Sequence, residues 1–147
     1  MRFVLANDHG GLDLKESVIE ELKDLGHEVE HLGTYDKNSC DYSDYAEKVC
    51  EKINKNEADL GILICGTGLG MSMSANKVKG IRAACVSEPF SAKMARAHND
   101  ANILCLGARV IGSELCKMIV REFASTDFEG GRHQRRVDKI KKIEESN

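Results

Sequence analysis

Leu60-Gly61-Ile62-Leu63-Ile64-Cys65-Gly66-Thr67-Gly68-Leu69-Gly70 is the stretch on which the fold turns. Residues 60–65 are apolar almost throughout, as strands of a parallel sheet covered on both faces tend to be. The Gly-rich segment that follows predicts a sharp turn, and the residues beyond it predict a helix to about Lys77. A buried strand, a short turn and a helix make one half of a β/α repeat.

The same alternation runs outward in both directions. Upstream, residues 2–6 read as a buried strand ending at the polar turn Asn7-Asp8-His9-Gly10-Gly11. Apolar residues at 12, 14, 18, 19, 22 and 25 have helical spacing, and Gly26 supplies a stop. Glu28–Leu32 alternates as a second strand, a polar loop covers 33–41, and Tyr42–Asn54 reads as a helix. Downstream, Ile81–Val86 and Asn102–Leu106 read as strands, and Pro89 opens a helix running to about Ala97. Glu114–Ala124 and the charged tail from about Arg132 to Glu145 read as two more helices. Five strand–helix units joined by short connections predict one α/β domain over residues 1–147. It is a three-layer, Rossmann-like α/β/α sandwich with a five-stranded, mainly parallel sheet and a C-terminal helix.

Bulk properties narrow the function. The chain has 147 residues, 41% hydrophobic and 31% charged, which matches ordinary soluble globular proteins. A net charge of −3 is too slight for a nucleic-acid or anionic-membrane binder, so any basic site must be local. No apolar run approaches the roughly 20 residues needed to cross a bilayer. The N-terminal apolar run is also too short for a signal-peptide core, so a cytoplasmic location is expected. Cys40, Cys50, Cys65, Cys85, Cys105 and Cys116 are widely spread, with no Cys-x-x-Cys and no zinc-like pairing with histidine. They predict reduced, mostly buried thiols and no metal site.

In parallel sheets ligands bind beyond the carboxyl ends of the strands. There the sequence places Asn7-Asp8-His9, Cys65–Gly70, Ser87-Glu88-Pro89 and Gly107-Ala108-Arg109, with Arg96–Asp100 beside them. All are expected at one edge. In the turn, alternating glycines at 66, 68 and 70 can aim successive backbone N–H groups at an anion. A dinucleotide fingerprint would need its third glycine at Met71, and no Gly-Lys-Ser/Thr follows for a P-loop. An anion cradle for a small ligand fits better, with a purely structural turn as the alternative.

Cys65 meets this turn just before a helix start, whose partial positive charge favours a thiolate, whereas plain burial would leave it inert. His98 could simply cap its helix and His9 could be a turn residue, yet both fall with Asp8 at the expected ligand edge. His27 and His31 read as structural, near the amino-terminal edge of the second strand or inside it. In the tail, Arg132 and Arg136 share a helix face that continues through Ile140 and Ile143. The two arginines therefore border an expected packed apolar seam, either as a solvated basic face or as forked donors for a phosphate.

The chain resembles the ribose/galactose-6-phosphate isomerase family, in its type B ribose-5-phosphate isomerase branch. The resemblance runs nearly end to end. It rests on Asp8-His9-Gly10-Gly11, Gly61–Gly68, Ser74-Ala75-Asn76-Lys77, Gly80-Ile81-Arg82-Ala83, Ser87-Glu88-Pro89, His98-Asn99-Asp100 and Gly130-Gly131-Arg132-His133-Gln134. It implies an aldose–ketose isomerase without cofactor or metal. Cys65 would be the base that moves a proton between C2 and C1. His98 would help open the furanose ring, with Thr67 and Asp8 assisting. The backbone of Gly66, Thr67, Gly68, Leu69 and Gly70 would hold the enediolate oxygen. His9, Arg109, Arg132 and Arg136 would surround the phosphate, and Asn99 would bind a hydroxyl. Some members carry the base as a Glu just after the Gly-rich turn; here that position is Met71, so the chain resembles the cysteine-base subtype. The family's sites are completed by a neighbouring subunit, which implies a homodimer or homotetramer.

Two other readings stay open on sequence alone. One is a hexose-6-phosphate isomerase (allose or galactose 6-phosphate) of the same family. The other is a sugar-phosphate-binding sensor, which would need no positioned thiol and histidine.

Overall fold

The computed structural model describes residues 1–147. Its strands are β1 (Arg2–Asn7), β2 (Glu28–His31), β3 (Leu60–Cys65), β4 (Ala83–Cys85) and β5 (Ile103–Gly107). Its helices are α1 (Leu12–Asp24), α2 (Tyr42–Asn54), α3 (Leu69–Ala75), α4 (Pro89–Ala97), α5 (Ser113–Ala124) and α6 (Arg132–Glu145), with a 3₁₀ turn at His9–Gly11 before α1. The strands lie in the order β2-β1-β3-β5-β4, and every neighbouring pair is parallel.

Alternating side chains divide the sheet into two dry faces. Phe3, Leu5, Ile62, Ile64, Leu104 and Leu106 pack with α1, α4 and α5, while Val4, Ala6, Leu63, Cys65, Ile103 and Cys105 pack with α2 and α3. β3 is buried at all six positions, which accounts for its unbroken apolar sequence. Expected and observed elements agree closely except at β4, which is shorter than Ile81–Val86. The Asn102 side chain takes the Arg82 amide at 2.8 Å and donates to Gly80 O at 2.9 Å, so pairing begins only at Ala83.

The sheet order fixes where a ligand can enter. From β1 the chain goes outward to β2 on one side and to β3 on the other, so the β1/β3 carboxyl ends form the switch point, where a crevice opens. Asp8 and Cys65 stand on either side of it. One charged cluster has a structural part here: Glu88 caps α4 by accepting from the Ser91 amide at 2.9 and 3.1 Å, and the Ser91 side chain, then that amide, lower its pKa.

One further expectation fails. Ile140 and Ile143 are 45% and 64% exposed, not packed in a seam; the buried stripe of α6 is His133 and Val137, one turn apart. His31 ends β2 at its carboxyl edge, where its Nε2 meets Asn7 Oδ1 at 2.6 Å.

Candidate active site

At the β1/β3 crevice, backbone and side-chain contacts hold one cluster together. The Asp8 amide donates to Ile64 O at 3.1 Å, and the Asp8 carboxylate, 6% exposed, accepts from the Gly10 amide at 2.9 Å. Asn7, fully buried, donates to the carbonyls of Asp8 and Thr34, both at 3.1 Å, so the loops after β1 and β2 are locked together. The Cys40 amide donates to His9 Nδ1 at 3.3 Å. That bond leaves Nε2 as the ring N–H, a donor free for a ligand.

Cys65 is 5% exposed, and the Gly68 amide donates to its Sγ at 3.0 Å. Gly68 can do so because it sits at φ +82°, a left-handed conformation that lets the chain double back over the thiol. The Leu69 amide turns to Thr67 Oγ1 at 3.3 Å, while the amides of Gly66, Thr67 and Gly70 donate to no acceptor in the chain. A Cβ on Gly70 would strike the Tyr42 ring, so the α2 start lies directly against the loop. Arg109 donates its amide to Gly66 O at 2.9 Å, and its guanidinium lies against Gly66. Cys65, Thr67, the glycine loop, Asp8, His9 and Arg109 thus converge at the carboxyl edge.

Four other cysteines are held as thiols. Burial pushes the Cys50 thiol up to about 11 and the Cys116 thiol up to about 12, and raises Cys105 well above its ordinary value. Cys85, opposite Cys105 in the sheet, is also raised by desolvation and by Cys65. Met71 is completely buried, so the position after the loop offers packing and no titratable group.

His98, Asn99, Arg132 and Arg136 are not part of this cluster. His98 follows the last residue of α4 and precedes β5, which places it at the amino edge of the sheet. The turn is held rigidly: Asp100 adopts φ +46°, and both Arg82 and Arg96 donate to its carboxylate, at 3.1 and 2.9 Å. Arg82 also donates to Asn99 O at 3.1 Å. The His98 ring stacks on His133 of α6, with centroids 4.1 Å apart and planes 10° from parallel. Arg132 and Arg136, both exposed, flank His133 on α6, so they belong with His98. Burial, then His98 and Arg132, hold the His133 pKa below the usual histidine range.

The four residues expected around a phosphate are therefore divided, His9 and Arg109 at one edge, Arg132 and Arg136 at the other. A cavity of about 940 Å³ lies at the amino edge, lined by Asn99, Arg82, Ile140 and Ile143 among others, with neither Cys65 nor Thr67 in its wall. Sequence reasoning missed Tyr42, Cys40, Glu129 and the role of His133. Only His133 had a signal, its place in the Gly130–Gln134 motif; the others come near the site through folding alone.

A family model described as Ribose/Galactose Isomerase matches residues 3–140. Ribose-5-phosphate isomerase B of Escherichia coli is 49% identical over 138 residues, covering 94% of this chain and 93% of that enzyme. Among solved structures, ribose-5-phosphate isomerase B of Clostridium thermocellum superimposes with a TM-score of 0.96 at 49% identity, covering 99% of both chains. The Mycoplasma genitalium ribose-5-phosphate isomerase B with bound ribulose 5-phosphate gives a TM-score of 0.93 at 47% identity, covering 99% of this chain and 97% of that one. With a family model over residues 3–140 and relatives nearly half identical over almost their full length, the chain belongs to the ribose/galactose isomerase family.

Proposed function

We propose that this protein interconverts ribose 5-phosphate and ribulose 5-phosphate, in a site built from the carboxyl edge of one copy and the amino edge of a second. The observation that carries this reading is the Cys65 thiol beneath the Gly68 amide at the β1/β3 switch point. The N–H aimed at sulfur supplies partial positive charge where a thiolate would carry its negative charge. The pentose substrate follows from the names of the relatives, one of which holds ribulose 5-phosphate.

Aldose–ketose isomerisation requires removal of the proton on C2, its return to C1, passage of a proton from O2 to O1, and stabilisation of the enediolate between. Cys65 takes and returns that proton, a role that typically contributes about 10²–10⁴-fold. The unpaired amides of Gly66, Thr67 and Gly70 receive the enediolate oxygen, and loss of such donors typically costs about 10²–10³-fold. The amides of Gly68 and Leu69 hold Sγ and Thr67 Oγ1 instead, so they shape the cradle. His98 delivers a proton to the ring oxygen as the C1–O bond opens, and Asn99 binds a hydroxyl. The phosphate is gripped by His9 and Arg109 of one copy and Arg132 and Arg136 of the other, which converts remote binding into positioning of C1 and C2.

The divided geometry supports the two-copy site. The exposed Ile140 and Ile143 beside Arg136 offer that second copy an apolar contact. Six unpaired cysteines, and no helix long and apolar enough to cross a membrane, fit an enzyme working in the cytoplasm. The test is conversion of ribose 5-phosphate by the purified protein with a chelator present and hexose 6-phosphates run alongside. Pentose turnover that survives chelation is expected. Turnover of hexose phosphates alone moves the substrate, and silence on every sugar overturns the enzyme reading.

A further inference from the structure

Beyond its part in catalysis, the amino-edge cluster has the composition of a metal site. His98, Glu129 and His133 each offer one ligand atom, and these atoms all lie within 4.8 Å of one another. We propose that these three residues bind a zinc-class divalent ion, and that the bound ion inhibits the enzyme by occupying His98.

The three ligands come from separately anchored pieces of chain. His98 is fixed by its own amide, which donates to Met94 O at 2.8 Å, and by the clamped turn that follows. Glu129 lies in the loop before α6, tied to the end of α4 by its amide to Ala97 O at 3.0 Å. His133 is in the first turn of α6, with its amide on Gly130 O at 3.0 Å. Both imidazole Nε2 atoms face the same carboxylate oxygen, at 3.8 Å for His98 and 3.4 Å for His133. Donors about 2.0–2.1 Å from a tetrahedral zinc stand roughly 3.4 Å apart, so the half-exposed His98 ring must turn out of its stack on His133 to bring both Nε2 lone pairs onto one ion. His133 is 5% exposed and supplies the rigid wall, while Glu129 is exposed and gives the ion a path in.

The ligand set selects the ion. Two imidazoles and one carboxylate suit zinc and its neighbours, whereas calcium and magnesium ask for oxygen-rich shells. Three protein ligands leave a fourth position for water. His98, once coordinated, can no longer hand a proton to the ring oxygen.

The inhibition half rests on the isomerase reading; binding does not. The test therefore reads both, on the full-length protein stripped of metal. Cobalt(II) absorption gives direct binding, and ribose 5-phosphate turnover is followed as Zn²⁺ is added and then removed with a chelator. One tetrahedral cobalt per chain is expected, without a thiolate-to-cobalt band, together with loss of turnover that the chelator restores. Glu129→Ala, a change at an exposed side chain, is assayed first without metal, and its inhibition is read relative to that turnover. It should weaken cobalt binding and zinc inhibition by at least the roughly 10–100-fold that loss of a ligand's supporting contact costs. Cobalt bound equally well by Glu129→Ala, or a thiolate band assigning the ion to Cys65, overturns the site. Binding at the three residues with turnover undiminished overturns the inhibition. A protein with no isomerase activity at all removes the proposed function, while the cobalt titrations still decide the site.

Discussion

Cys65 and His98 stand at opposite ends of the same strand pair: Cys65 is level with Gly107, the last residue of β5, whereas His98 precedes Ile103, the first. At about 3.3 Å per residue, β5 alone separates the two levels by roughly 13 Å. No side chain of ordinary length spans that gap. A sugar phosphate that uses both groups must meet them on two different copies.

The thiol carries the heaviest chemical burden. Cys65→Ala should lower kcat by about 10²–10⁴-fold and leave KM nearly unchanged, because in the proposed mechanism the sulfur meets the reacting carbons and not the phosphate. Steady-state kinetics on ribose 5-phosphate check this, and near-normal kcat would remove Cys65 as the base.

The loop conformation is the second point of dependence. At Gly68, φ +82° and the Cys85 Sγ, 2.9 Å from where a Cβ would stand, leave no room for a side chain. Gly68→Ala should destabilise the fold by about 1–2 kcal/mol from the left-handed backbone alone. It should also lower kcat, since the amide on Cys65 moves. Urea unfolding and kinetics on the same sample measure both effects; wild-type values for each would mean the loop adapts freely.

Phosphate recognition should be separable from folding. If both arginines grip the phosphate as proposed, Arg132→Ala and Arg136→Ala should each lose charged hydrogen bonds worth about 1.5–3 kcal/mol, or roughly 10–100-fold in KM. Both residues are exposed, so stability should change by no more than about 0.5 kcal/mol. A KM left at the wild-type value in both variants would remove them from the phosphate site.

Stability should fall in mild acid. His27, His31 and His133 all have pKa values lowered by burial. The unfolded chain, with histidines near 6.5, therefore binds protons before the folded one does. Their contribution is complete above about pH 6.5 and is lost as pH falls toward and through the folded values. Urea unfolding between pH 7.5 and 5.5 should show that decline, and His133→Gln should flatten it. A pH-independent midpoint would contradict the assignment.

The sheet and most helix limits were legible because strand burial and helix periodicity are local signals. β3 is apolar because both its faces are covered, and α4 announces itself through Glu88-Pro89 at its start. The edge on which each residue falls was less legible. Cys65 ends a strand and so lies at the carboxyl edge, but His98 follows a helix that has already returned to the amino edge. Its proximity in sequence to β5 conceals that reversal. Likewise the apolar spacing of Ile140 and Ile143 is genuine, yet their own chain leaves them exposed. Periodicity alone does not distinguish a core from a surface that a second copy covers.

The most direct test of the central claim is complementation between Cys65→Ala and His98→Asn chains, each inactive alone, mixed equally and allowed to exchange subunits. With sites shared across a two-fold axis, half the dimers are mixed and one of their two sites is intact, so about one quarter of wild-type activity should return. No recovery, with exchange verified, would mean that each chain builds its site alone and would contradict the account.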